Sequence, residues 1–188
     1  CSAGGIGSLT NYYPLRSDLE PDKGFLIDDS GPAFPSPTEG DPAQYPSLPL
    51  QNTIRDAWGL DQENGPLEYL QARMPLFDEN DLGTLYRAMA TQLPEDRMGH
   101  THFWEDLNYS SYSYERFYAE LLNAPDQETL EAGLHEKWGT DTQNLIQELA
   151  NLDNFGYYFP RFRDVNESHC TSIICLLYTS DAADDLWC

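Results

Sequence analysis

Between Leu48 and Leu152 apolar side chains recur three and four residues apart in successive stretches, a spacing that commits this part of the chain to helices with one buried face. Leu50, Ile54, Ala57 and Trp58 form the first stripe, which ends at Gly59. Leu67, Leu70 and Met74 form the second, opened by Pro66 and closed by Pro75. In the third, Asp78 is the expected N-cap, Asp81 occupies the third helical position, and Leu82, Leu85, Tyr86, Met89 and Leu93 share a face before Pro94. Ser113 opens a fourth with Tyr114, Phe117, Tyr118, Leu121 and Leu122. Pro125 starts a fifth with Leu130, Leu134 and Trp138, ended by Gly139, and Thr140 caps a sixth with Leu145, Ile146, Leu149 and Leu152. The expected fold is therefore mainly α, a compact bundle of about six short helices forming one domain over residues 48–165.

Residues 1–47 read as an irregular Pro/Gly-rich arm or linker, with one short strand expected at Gly24 to Ile27. Past Leu152, Phe155, Tyr157, Tyr158, Phe159 and Phe162 crowd around Gly156 and Pro160, as a strand or as an aromatic loop covering the helices. Residues 166–174 carry no clear pattern. Cys175 to Asp185, "CLLYTSDAADD", resembles a translated sequencing adapter, so residues 175–188 are expected to be a non-native tail on a fragment of metagenomic type.

The charge narrows the partners. Ten basic residues against 32 acidic ones give a formal charge of −22, which repels nucleic-acid phosphates and anionic lipid headgroups. Lys23 and Lys137 are the only lysines, a balance that also suits solubility in high salt. The apolar run Ile173 to Tyr178 is far below the roughly 20 residues that span a bilayer. At the other end, "CSAGGIGS" is similar to the mature end of a bacterial lipoprotein, in which Cys1 would carry a lipid anchor, but the favoured reading is that the fragment simply begins there. Extracytoplasmic placement is the weakly favoured expectation. With Cys175 and Cys188 set aside, Cys1 and Cys170 are a distant pair that makes no disulfide framework.

The motif with most chemistry is "RMGHTHFWEDLN". In an extended segment His100 and His102 leave the same face and could share a metal ion, with Glu105 or Asp106 adding an oxygen. In a helix they would point about 200° apart, and Pro94 and Gly99 argue against a helix there. The short stretch resembles the amidohydrolase superfamily, where an H-x-H pair ends the first barrel strand. That resemblance implies a (β/α)₈ barrel, zinc or a similar divalent ion held first by His100 and His102, and a metal-activated hydroxide as nucleophile. It departs from the pattern in the polar "PEDRM" that precedes the pair, where a barrel strand would be apolar.

Other patterns carry less. "DENDLGTLYRAM" lacks the fifth and twelfth ligands of a calcium loop, "GGIG" has no strand before it, and Ser110, Ser111 and Ser113 lie in no nucleophile-elbow pattern. The leading functional expectation is an acidic helical interaction module with no cofactor, packing against a protein partner or the remainder of its own chain. The alternative is the N-terminal part of a metal-dependent hydrolase.

Overall fold

The computed structural model describes residues 1–164 and 166–172 and corrects the expectation of an all-helical bundle. Among these residues, seven α-helices accompany a three-stranded parallel sheet: α1 (Ala3–Leu19), β1 (Phe25–Asp29), α2 (Leu48–Trp58), α3 (Pro66–Gln71), α4 (Leu85–Gln92), β2 (Arg97–Thr101), α5 (Leu107–Tyr114), α6 (Ala119–Leu122), α7 (Gln127–Leu149) and β3 (Phe155–Tyr158). The strands lie in the order β1-β2-β3, with Leu26 beside Met98 and Met98 beside Phe155. Those three side chains are buried, whereas Phe25 and Ile27 on the opposite face are 77% and 72% exposed. No helix among the described residues is long and apolar enough to cross a membrane.

The Pro/Gly-rich arm is the main source of the difference. Its first part folds as α1 despite Gly4, Gly5, Gly7 and Pro14, residues that together argue against a helix. Burial overrides that propensity: Leu9 and Tyr13 sit in the core, and the helix packs on β1. The glycines that weaken α1 also let it approach. A Cβ on Gly5 would lie 2.4 Å from the Asp29 carbonyl oxygen, and one on Gly31 would lie 2.1 Å from the Ile6 nitrogen.

Three helix boundaries also move. Asp81, not Asp78, is the cap, its Oδ1 accepting the Gly83 N–H of a 3₁₀ turn over Leu82–Thr84 that leads into α4. The fourth helix starts at Asp106, whose Oδ1 accepts the Tyr109 N–H at 2.8 Å, so Ser113 falls near its end. The fifth and sixth stripes are one 23-residue helix, α7, running straight through Gly139. Trp138, Asp141, Thr142 and Leu145 are fully buried on either side of that glycine, which outweighs its cost of about 1 kcal/mol. Cys1 and Cys170, which the sequence offers only as a distant pair and no disulfide framework, form a disulfide with a Cα–Cα distance of 5.5 Å.

One buried charge makes stability depend on pH. Asp141 on α7 is inaccessible and accepts the Tyr114 hydroxyl of α5 at 2.8 Å. Burial pushes its carboxyl up to about 7. A carboxyl whose folded pKa is raised stabilises the fold most below about pH 4, where both states hold the proton, and this contribution is lost as pH rises to about 7. We expect Asp141→Asn to flatten the loss of stability between pH 4 and 7 and to stabilise the protein at pH 8 by about 2 kcal/mol. Urea denaturation at pH 4 and pH 8 checks this: equal pH slopes in the two proteins contradict it.

Candidate functional site

The parallel strands end together, and the loops after them build the polar centre of the molecule, the usual place for a site on such a sheet. Asp28 and Asp29 close β1, His100 and Thr101 close β2, and His102 follows one residue on. The extended reading of the H-x-H pair is what the structure has: Met98, His100 and His102 all point into the core and both imidazoles are buried.

The two rings meet each other. His100 Nε2 lies 2.7 Å from His102 Nδ1, His100 Nδ1 lies 2.8 Å from Asp28 Oδ2, and His102 Nε2 lies 3.0 Å from the Thr142 hydroxyl. Burial, then the neighbouring His100, holds His102 well below the ordinary histidine value, so it is neutral. One proton assignment satisfies every bond: Thr142 donates to His102 Nε2, His102 Nδ1 donates to His100 Nε2, and His100 Nδ1 donates to Asp28. Tyr86 adds a longer bond to the same carboxylate oxygen, at 3.3 Å. The donors therefore all run towards Asp28 Oδ2, whereas Asp28 Oδ1, also buried, has no hydrogen-bond partner among the described residues.

The four residues expected to share a metal are not brought to one point. Glu105 pairs with Arg161 at 3.0 Å on the surface. Asp106 turns away to cap α5 and to meet His169, whose Nδ1 lies 2.7 Å from Asp106 Oδ2. No group of three or more His, Cys, Asp or Glu placed to hold a metal ion occurs among the described residues.

The Asp106–His169 pair is a second buried constellation. Asp106 is fully buried and His169 is 6% exposed. Burial pushes the Asp106 carboxyl above its ordinary value, although His169 and the Tyr109 N–H pull it back. The segment that carries His169 is strained. Asn166, Glu167, Ser168 and Cys170 all have φ between 52° and 63°, in the left-handed region that L-residues avoid, and such residues concentrate at functional sites. Arg163 holds the segment by donating from Nη2 to the carbonyl oxygens of His169 and Cys170 at 2.9 and 2.8 Å.

The disulfide carries this segment to the start of the chain. Cys1 precedes Ser2, the residue that opens α1, at φ 55° and ψ −125°. Those angles lie outside every region a serine ordinarily occupies. The Ser2 N–H donates to the Asp29 carbonyl at 2.8 Å, and the Ser2 carbonyl accepts from Gly5 and Ile6 in the first turn of α1. Neither Ser2 Oγ nor His169 Nε2 has a hydrogen-bond partner among the described residues. Sequence reasoning passed over both. Their traces were the small residues of "CSAGG", in which Ser2 and Gly4 stand two apart, and the lone His169 beside Cys170.

Comparison with protein-family models, with curated proteins and with solved structures finds no match to this chain.

Proposed function

We propose that the chain carries a serine-hydrolase site acting on carboxylic esters, with Ser2 as nucleophile, His169 as general base and Asp106 as the carboxylate that orients it. The observation behind this reading is the strained Ser2 at the head of α1, one residue from a disulfide whose other half follows His169. Cys1-Ser2-Ala3-Gly4 reads as the last four positions of the G-x-S-x-G nucleophile elbow, a sharp turn into a helix beside a parallel sheet. The chain order Ser2, Asp106, His169 is that of α/β hydrolases, with the acid after one parallel strand and the histidine after the next.

The residues supply each step. Ser2 Oγ attacks the acyl carbon while its proton passes to His169 Nε2. His169 returns that proton to the departing alcohol, and Asp106 accepts the Nδ1–H throughout, fixing the tautomer. The negative charge on the carbonyl oxygen develops beside the Ala3 N–H and the positive end of the 17-residue α1. Water then cleaves the acyl-serine with His169 as base, restoring the free hydroxyl. An excess of carboxylates across the chain favours neutral or cationic esters over anionic ones.

This reading is preferred to an acidic interaction module, which rests on composition alone. It is preferred also to a metal-dependent hydrolase, because His100 and His102 spend their facing nitrogens on each other. A fluorophosphonate probe tests it: one equivalent should attach to Ser2, located by peptide mass spectrometry, and His169→Ala should abolish labelling. A folded, disulfide-bonded protein that is not labelled, or is labelled elsewhere, removes Ser2 from the role.

A further inference from the structure

Asp29 touches both halves of the proposed site. Its carbonyl oxygen takes the Ser2 N–H, and its carboxylate, 5% exposed, gathers the chain just beyond His169 and Cys170. Oδ1 accepts the N–H and the hydroxyl of Thr171, both at 2.8 Å, and the hydroxyl of Ser30 at 3.0 Å. Oδ2 accepts the N–H of Ser172 at 3.0 Å and the Ser172 hydroxyl. The next residue extends the clamp, Ser30 Oγ accepting the Cys170 N–H at 3.2 Å and the Ser30 N–H donating to the Thr101 carbonyl at 2.7 Å. Gly31 then packs so closely on α1 that an added Cβ would stand 2.6 Å from the Ser2 carbonyl oxygen.

We propose that Asp29 is a positioning residue, holding the Ser2 elbow through its main chain and the His169 segment through its carboxylate so that nucleophile and base stay in register. The inference rests on the triad reading. The geometry explains why a carboxylate stands here. Five donors converge on two oxygens, four from Thr171 and Ser172 and one from the neighbouring Ser30 hydroxyl, and an acceptor with four lone-pair sites and a negative charge is what they require. Burial alone would push this carboxyl up, but the Ser172 and Thr171 donors outweigh it and hold it below its ordinary value, so the clamp remains charged down to acid pH.

The position of Asp29 also separates its role from that of Asp28. Asp28 faces the buried histidines on the inner side of β1, whereas Asp29 is the point at which β1 hands over to the loops. A displacement of about 1 Å at His169 would lengthen the Ser2–His169 approach and slow acyl transfer by roughly 100-fold without altering substrate contacts.

The test compares wild type, Asp29→Asn, and the double variant Thr171→Val, Ser172→Ala, which removes two donor hydroxyls from the opposite side should Asp29→Asn fold poorly. Initial rates with p-nitrophenyl acetate and second-order rates of fluorophosphonate labelling are read together. Both variants should lose kcat, about 100-fold for Asp29→Asn and about 10-fold for the double variant, with KM within threefold of wild type and labelling rates falling in parallel. Unchanged kcat and labelling in either folded variant overturn the positioning role while the triad stands. A wild-type protein that is not labelled at Ser2 overturns the triad, and the positioning role with it.

Discussion

Replacing His169 by alanine should slow ester hydrolysis by about 10⁴- to 10⁶-fold in kcat, because a serine hydroxyl without a base is almost never ionised at neutral pH. The residual rate would come from substrate binding and from donors at the head of α1. Asp106→Asn should cost about 10⁴-fold by a different route. Its amide would donate to His169 Nδ1, which puts the ring proton on Nε2, where it cannot accept the proton of Ser2. The same substitution separates catalysis from folding. Asp106 Oδ1 caps α5 through the Tyr109 N–H, and asparagine is an equally good cap, so the fold should survive the change. Initial rates measured beside thermal unfolding check both statements. A folded His169→Ala protein within tenfold of wild type would take the imidazole out of the chemistry.

What the sequence made legible was the periodic part. The stretches Leu50 to Trp58 and Leu67 to Met74 were legible as helical, but α2 buries Leu50, Gln51 and Arg55 and leaves Trp58 exposed, and α3 stops at Gln71, short of Met74. The strand near Gly24 was legible as the short apolar run Phe25, Leu26 and Ile27 after Gly24. The failures share a cause: tertiary contacts from far along the chain settled what local signals left open. Gly139 looked like a terminus because nothing in its neighbourhood shows that Trp138 will donate its indole N–H to Phe103, 35 residues away. The stretch "PEDRM" looked too polar to lead into a buried strand because the partners that satisfy Asp96, namely Arg16 and the Gly24 N–H, lie 80 and 72 residues off.

The site was half legible. His100 and His102 leave one face of an extended segment, as their spacing requires, but spacing cannot say whether two imidazoles face a metal or each other. Asp106 was a candidate ligand and is a candidate site residue, though its partner is His169, in a stretch that carries no periodic signal. Ser2 sat in the small-residue run "CSAGG", which fits a lipoprotein terminus as well as a nucleophile elbow until its backbone angles are known. In the structure the Cys1 sulfur is joined to Cys170.

That bond should also be the largest single contribution to stability. It joins positions 169 apart in sequence, and constraining so long a loop in the unfolded chain is worth about 5 kcal/mol in the loop-entropy account. In a chain of this length 1 kcal/mol moves Tm by about 2–4 °C, so replacing both Cys1 and Cys170 by serine should lower Tm by roughly 10–20 °C. Cys175 and Cys188 are best made serine in both proteins, so that no other pairing forms. The catalytic consequence should be smaller than the thermal one. Below the lowered Tm, Asp29 and Ser30 still grip Thr171, Ser172 and Cys170, and kcat should fall by less than about tenfold. Adding Asp29→Asn to the serine pair then removes both clamps, and the combined loss in kcat should exceed the product of the separate losses, because each clamp limits the displacement that losing the other allows. A multiplicative loss would mean that disulfide and carboxylate act on different parts of the site. A Tm shift below about 3 °C would place the restraint on the chain ends in the Asp29 network alone.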